Sequence, residues 1–183
     1  MRRKYPFRIG ATSYTYPGNI LSNVYKLKDQ VDDIELVLFE TDSIENIPKP
    51  KDLKELKHIS DKWNLTYTAH LPLGIDSGSV AADKKKDPVK KIGKLIERLS
   101  VLNPYAYILH LNLSEQSDVD IKLWQNRINQ SLKKIIKLQL VRPQGIAIEN
   151  LSYPFSYIDT LISKNGFSIC VDITIFPFQL TFS

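Results

Sequence analysis

The chain has 183 residues, 43% of them hydrophobic and 25% charged, with a formal net charge of +5 and an isoelectric point near 9.1. Such a composition excludes a disordered or fibrous protein and leaves enough chain for one domain with a sizeable core. One cysteine, Cys170, excludes a disulfide framework and suits a reducing compartment. The basic start, Met1-Arg2-Arg3-Lys4, leads into no apolar signal core, and no other run approaches membrane-spanning length. A cytoplasmic protein without membrane contact is expected. The modest positive charge suits an anionic ligand, and it is also the ordinary charge of a solvated surface.

In chain order, residues 7–12 read as a first strand, followed by a loop carrying Tyr14 and Tyr16. Asn19 suits the cap of a helix over 20–29, with Ile20, Leu21, Val24 and Leu27 on one face. A second strand over 34–40 runs into Glu40. A helix over 51–63 places Leu53, Leu56, Ile59 and Trp63 on one stripe. The third strand, 65–70, ends in His70, and a Gly/Ser/Lys-rich loop runs to Lys86. Asp87-Pro88 opens the next helix, with Asp as cap and Pro at the first position. Asn103-Pro104 stops it. The fourth strand, 105–111, contains His110. Ser117 or Asp118 opens the longest helix, with Ile121, Trp124, Ile128, Leu132, Ile135 and Ile136 in register. Gly145-Ile146-Ala147-Ile148-Glu149-Asn150 is the fifth strand, an apolar run with no polar alternation, as in a parallel sheet buried on both faces. A short helix over 156–164 closes at Asn165-Gly166, and the sixth strand, 168–172, ends in Asp172.

Strand and helix alternate through six strands, the rhythm of parallel βα units. No G-x-G-x-x-G or Walker loop follows the first strand, which weighs against a nucleotide-binding open sheet. Polar residues ending successive strands favour a (β/α) TIM barrel, whose site is built from those ends. A whole barrel takes roughly 250 residues, so the expectation is an incomplete one of about six of eight units. The single partial domain spans 1–183, with an atypical uncharged tail over 173–183.

A carboxylate ending a buried strand is costly unless it is paired or bound to a cation. His70, His110, Glu149 and Asp172 would share one mouth, and imidazole nitrogens mixed with carboxylate oxygens suit Mn, Zn or Fe as a divalent metal. Each residue alone has a plainer reading, the imidazoles as hydrogen-bonded structural groups and the acids as helix caps. Four in register favour a metal site. Glu149 and His110 are the candidate catalytic residues. Tyr14, Glu40, Asn112 and Asn150 are candidate substrate-binding residues, which equally serve as lid or turn residues. His58 lies on a polar helix face among lysines and is read as surface.

Six stretches carry a family resemblance: residues 7–14, Glu35-Leu36-Val37-Leu38-Phe39-Glu40, Thr68-Ala69-His70-Leu71-Pro72, Leu109-His110-Leu111-Asn112, Ile148-Glu149-Asn150-Leu151 and Cys170-Val171-Asp172-Ile173. Together they resemble the xylose-isomerase-like TIM-barrel superfamily, which holds sugar-phosphate isomerases/epimerases and endonuclease IV-type AP endonucleases. Within it, the string is most similar to the cobamide-remodelling phosphodiesterases, metal-dependent hydrolases of the nucleotide-loop phosphodiester in adenosylated corrinoids. The resemblance covers residues 7–173 and implies His70, His110, Glu149 and Asp172 as metal ligands. It also implies a small-molecule phosphodiester or sugar-phosphate substrate rather than nucleic acid. One departure stands out: Thr174 and Ile175 occupy the places where the family pattern continues with Gly and His after the aspartate. Three expectations follow: a cobamide phosphodiesterase, a sugar-phosphate isomerase/epimerase, or a non-catalytic barrel remnant. With two units lacking, the isolated chain is expected to self-associate and to turn over little.

Overall fold

The computed structural model describes residues 5–39, 46–73, 87–113 and 120–173. Six strands alternate with five helices: β1 Gly10–Thr12, α1 Ile20–Leu27, β2 Asp33–Val37, α2 Pro50–Trp63, β3 Thr66–His70, α3 Pro88–Leu99, β4 Tyr107–Leu109, α4 Ile121–Lys137, β5 Ile146–Glu149, α5 Asp159–Asn165 and β6 Ser168–Cys170. The strands form one sheet in the order β1-β2-β3-β4-β5-β6, with every pair parallel. Sequential order with helices on the outer face is barrel winding, and the described units make an incomplete (β/α) barrel. No helix among the described residues is long and apolar enough to cross a membrane.

Side-chain parity sorts the strands into two faces. Ile34, Leu36, Tyr67, Ala69, Tyr107, Leu109, Ile146 and Ile148 point outward and are buried under the helices. The helices meet them with Leu53, Leu56 and Ile59, with Ile92, Leu95, Ile96 and Leu99, and with Trp124, Ile128, Leu132 and Ile135. Two strand tyrosines stitch the layers. Tyr67 donates to the Leu56 carbonyl at 2.9 Å, and Tyr107 to the Ile96 carbonyl at 3.2 Å. The other parity gives the inner face, including Glu35, Thr68, His70, Ile108, Ala147 and Glu149.

Helix starts follow the cap chemistry. Asn19 accepts from the Ser22 amide, and Asp87 accepts from the Val89 amide ahead of Pro88. The cap of α4 is Asp120, accepting from Leu123 N at 3.0 Å, rather than Ser117 or Asp118, which lie outside the described residues. Gly166 closes α5 with φ of 73°, the left-handed stop expected after Asn165. That last helix is shorter than the expected 156–164, because Phe155–Tyr157 winds first as a 3₁₀ turn.

Three other expectations are corrected. β1 begins at Gly10 rather than at residue 7: it is an edge strand paired only with β2, and Phe7 is 59% exposed. β2 ends at Val37 rather than at 40, because the Asn46 side chain takes over its last groups. Asn46 donates to the Val37 carbonyl at 2.8 Å and accepts from Phe39 N. Trp63 is not on the core stripe of α2. It is 40% exposed, with the Lys28 ammonium 4.9 Å from its ring centre.

Candidate metal centre at the strand ends

Three strands deliver the centre. His70 is the last residue of β3, His110 follows β4 directly, and Glu149 is the last residue of β5. Parallel pairing brings these C-terminal ends to one mouth, and inward parity aims all three side chains into it. Glu149 Oε2 lies 2.6 Å from His110 Nε2 and 3.1 Å from His70 Nε2. The imidazole rings meet edge to face with centroids 4.8 Å apart. One ligating atom from each residue lies within 4.8 Å of the other two.

His70 is buried, and its ring is held from behind. Its Nδ1 lies 2.9 Å from the Leu71 carbonyl oxygen, which can only accept, so the Nδ1 carries the proton. That contact orients Nε2 toward the centre, as outer partners do for metal-ligating imidazoles. Without an ion, the three groups bind each other. Burial alone would raise the Glu149 carboxyl, but hydrogen bonds from His110 and His70 outweigh it and hold the group at about 2. For His70, burial lowers the imidazole, and the hydrogen bonds to Glu149 and Leu71 reverse that, leaving it above its ordinary value. Two imidazole nitrogens and one carboxylate oxygen fit a divalent first-row transition metal.

Asp172 does not join that group. Its main chain is bridged by the Asn150 side chain, which accepts from Asp172 N at 2.6 Å and donates to its carbonyl at 3.1 Å. Asn150 is therefore a buried clamp between the ends of β5 and β6. Asn112 closes a turn in a similar way. Its side chain donates to the Leu73 carbonyl at 2.7 Å, and its own carbonyl accepts from Trp124 Nε1 at 2.8 Å. Tyr14 is exposed at the mouth. Its hydroxyl accepts from Asn46 Nδ2 at 3.0 Å, and its ring packs edge-on against Phe39. Glu40 lies outside the described residues, as do Thr174 and Ile175. His58 is exposed on α2, as expected.

Below the centre, the concave sheet face bounds a cavity of about 790 Å³ lined by Thr12, Glu35, Thr68, Ile108, Ala147 and Cys170. Burial, with Glu149, Glu35 and Asp172 nearby, pushes the Cys170 thiol up to about 11. Glu35 was missed in the sequence. The available signal was a lone acid inside the apolar run 34–39, at a parity opposite to its buried neighbours.

No protein-family model matches the sequence, and no curated protein sequence matches it. Among solved structures, the chain is similar to a D-tagatose 3-epimerase-like protein, with a TM-score of 0.71 and 18% identity over 91% of this chain and 65% of that one. It is similar to D-psicose 3-epimerase from Clostridium cellulolyticum, with a TM-score of 0.70 and 14% identity over 90% of this chain and 62% of that one. Endonuclease IV from Thermus thermophilus matches with a TM-score of 0.63 and 12% identity over 90% of this chain and 61% of that one. At these identities the likeness establishes the fold, that of the xylose-isomerase-like TIM barrels. The chain spans less than two thirds of the length of each of the three.

Proposed function

We propose that His70, His110 and Glu149 hold a divalent metal, and that the barrel serves metal-assisted hydrolysis of a phosphodiester in a small anionic molecule. The nucleotide-loop phosphodiester of adenosylated cobamides is the substrate class to which the sequence resemblance points. The observation that carries this reading is the convergence of two imidazole nitrogens on one carboxylate oxygen. Two His and one Glu are a donor set of hydrolytic metal sites, in which a further position stays open for water. Bound there, the metal would lower the pKa of that water and neutralise phosphoryl charge.

The chain's own residues prepare that chemistry. The Leu71 carbonyl fixes the His70 tautomer, so Nε2 presents a lone pair without reorientation. Glu149 supplies one negative charge to a site otherwise built from neutral donors, leaving net positive charge for an anionic phosphoryl group. Tyr14, half-exposed and hydrogen-bonded to Asn46, offers an aromatic edge at the mouth.

A second reading, a sugar-phosphate isomerase or epimerase, is favoured by the sugar 3-epimerases among the similar structures. It needs a carboxylate that takes and returns a proton, and general bases work best with a pKa near the operating pH. Glu149 is a ligand of the metal in either reading, so the product released is what separates the two. Metal affinity tests the centre itself. His110→Ala is expected to lower Zn²⁺ affinity by at least about 100-fold, and His58→Ala to leave it unchanged; equal losses would show that the wrong histidine was chosen. With metal bound, α-riboside released from an adenosylated corrinoid supports hydrolysis, and turnover of a small keto-sugar supports the epimerase. Metal binding with neither product points to a non-catalytic barrel.

A further inference from the structure

Glu35 stands in the middle of β2, flanked across the ladders by Thr12 on β1 and Thr68 on β3. Val37, two residues further along the same face, pairs with His70. Glu35 therefore lies one inward layer beneath the imidazole, and its side chain lines the cavity under the centre. It does not join the three converging ligand atoms. The other inward acid of this strand has a donor: Asp33 Oδ2 accepts from Thr66 Oγ1 at 2.5 Å, and the Arg8 guanidinium donates to that same hydroxyl. Among the described residues, no group donates a hydrogen bond to the Glu35 carboxylate. A half-buried carboxylate without a donor is unfavourable unless positive charge stands nearby.

Burial, with Glu149 and Asp33 nearby, raises the Glu35 carboxyl above its ordinary value, and the fields of His70 and His110 at the mouth oppose that rise, so a cation held there is the charge that would keep Glu35 ionised. We propose that Glu35 is a positioning residue of the metal centre, an inner-layer anion that raises cation affinity through the field without touching the ion. This inference rests on the metal-site reading above. It assigns Glu35 a duty that neither a ligand nor a fold-holding residue would share. A ligand would change the ion's coordination, and a fold-holding residue would change stability in the absence of metal.

The test compares the full chain with Glu35→Gln and Glu35→Asp by Zn²⁺ competition titration at about pH 8, and by the visible absorption of bound Co²⁺. Glu35→Gln is expected to lower Zn²⁺ affinity about tenfold, a typical effect for a partner that does not touch the ion. The Co²⁺ bands should keep their positions, and the metal-free melting temperature should not fall. Glu35→Asp keeps the charge and is expected to stay within about threefold of the parent. Unchanged affinity in Glu35→Gln overturns the inference while leaving the metal site standing. Shifted Co²⁺ bands overturn it by making Glu35 a ligand. A Glu35→Gln chain that fails to fold overturns it by making the carboxylate structural. A parent chain with no Zn²⁺ site sensitive to His110→Ala overturns the metal reading, and this inference with it.

Discussion

The proton on His70 Nδ1 is set by a single main-chain oxygen, and it decides which nitrogen faces the centre. In the metal-free protein that ring also donates from Nε2 to Glu149, so it gains its second proton more readily than a free imidazole. The signs of the two shifts define a pH window. A raised imidazole contributes stability that is full below its ordinary value of 6.5 and is lost as pH rises through the higher folded value. A lowered carboxyl contributes stability that is full above its ordinary value of 4.5 and is lost as pH falls toward about 2. Metal-free protein should therefore gain most from this cluster between pH 4.5 and 6.5. Metal competes with protons for the imidazoles, so Zn²⁺ affinity should climb with pH through the raised His70 value. Thermal melts against pH with and without Zn²⁺ check both trends, and a metal-free optimum above about pH 8 would refute the first. The pairing of His70, His110 and Glu149 was legible in the sequence because each ends an apolar run, and polar groups there can only gather at the mouth. The direction of Asn112 and Asn150 was not legible. A residue after a strand can turn to substrate or to backbone with the same local pattern, and here both turn to backbone.

The elements were legible where capping and periodicity agree. Asp87-Pro88 marks the start of α3, and Asp87 accepts from both the Val89 and Lys90 amides. Asp87→Ala should cost about 1 kcal/mol by leaving those amides without a side-chain acceptor. A melting temperature equal to the parent's would show that the cap adds nothing. Boundaries failed where a distant side chain intervenes. Asn46 ends β2 by reaching back to Val37 and Phe39, across the connection formed by residues 40–45. Trp63 failed for a different reason. Ten residues after Leu53, a 3.6-residue repeat has drifted off the inward stripe, and the indole takes Lys28 as its cover instead.

At the scale of the whole molecule, the strand-by-strand winding was legible from the alternation alone, and the similar solved structures share it. What composition could not show is how unequal the two sides of the sheet become at its ends. Within the described sheet, β1 pairs only with β2 and β6 only with β5. On β6 and just beyond it, the outward apolar residues Ile169 and Val171 are 48% and 60% exposed, whereas Ile148, the partner of Ile169 on β5, is buried under helices, as is Ile146 on the same face. The two edges are unlike one another, and each runs in the direction that a parallel neighbour needs. If β6 of one copy docks on β1 of the next, the contact is head to tail and leaves the same two edges free at the ends of the pair. Such a joint does not close on itself as a two-fold dimer does. The 183-residue chain should consequently grow into open-ended oligomers whose mean mass rises steadily with concentration, without a plateau at any fixed multiple. Sedimentation velocity over a roughly hundredfold concentration range reads this directly, and a mass that settles at monomer or dimer would refute it.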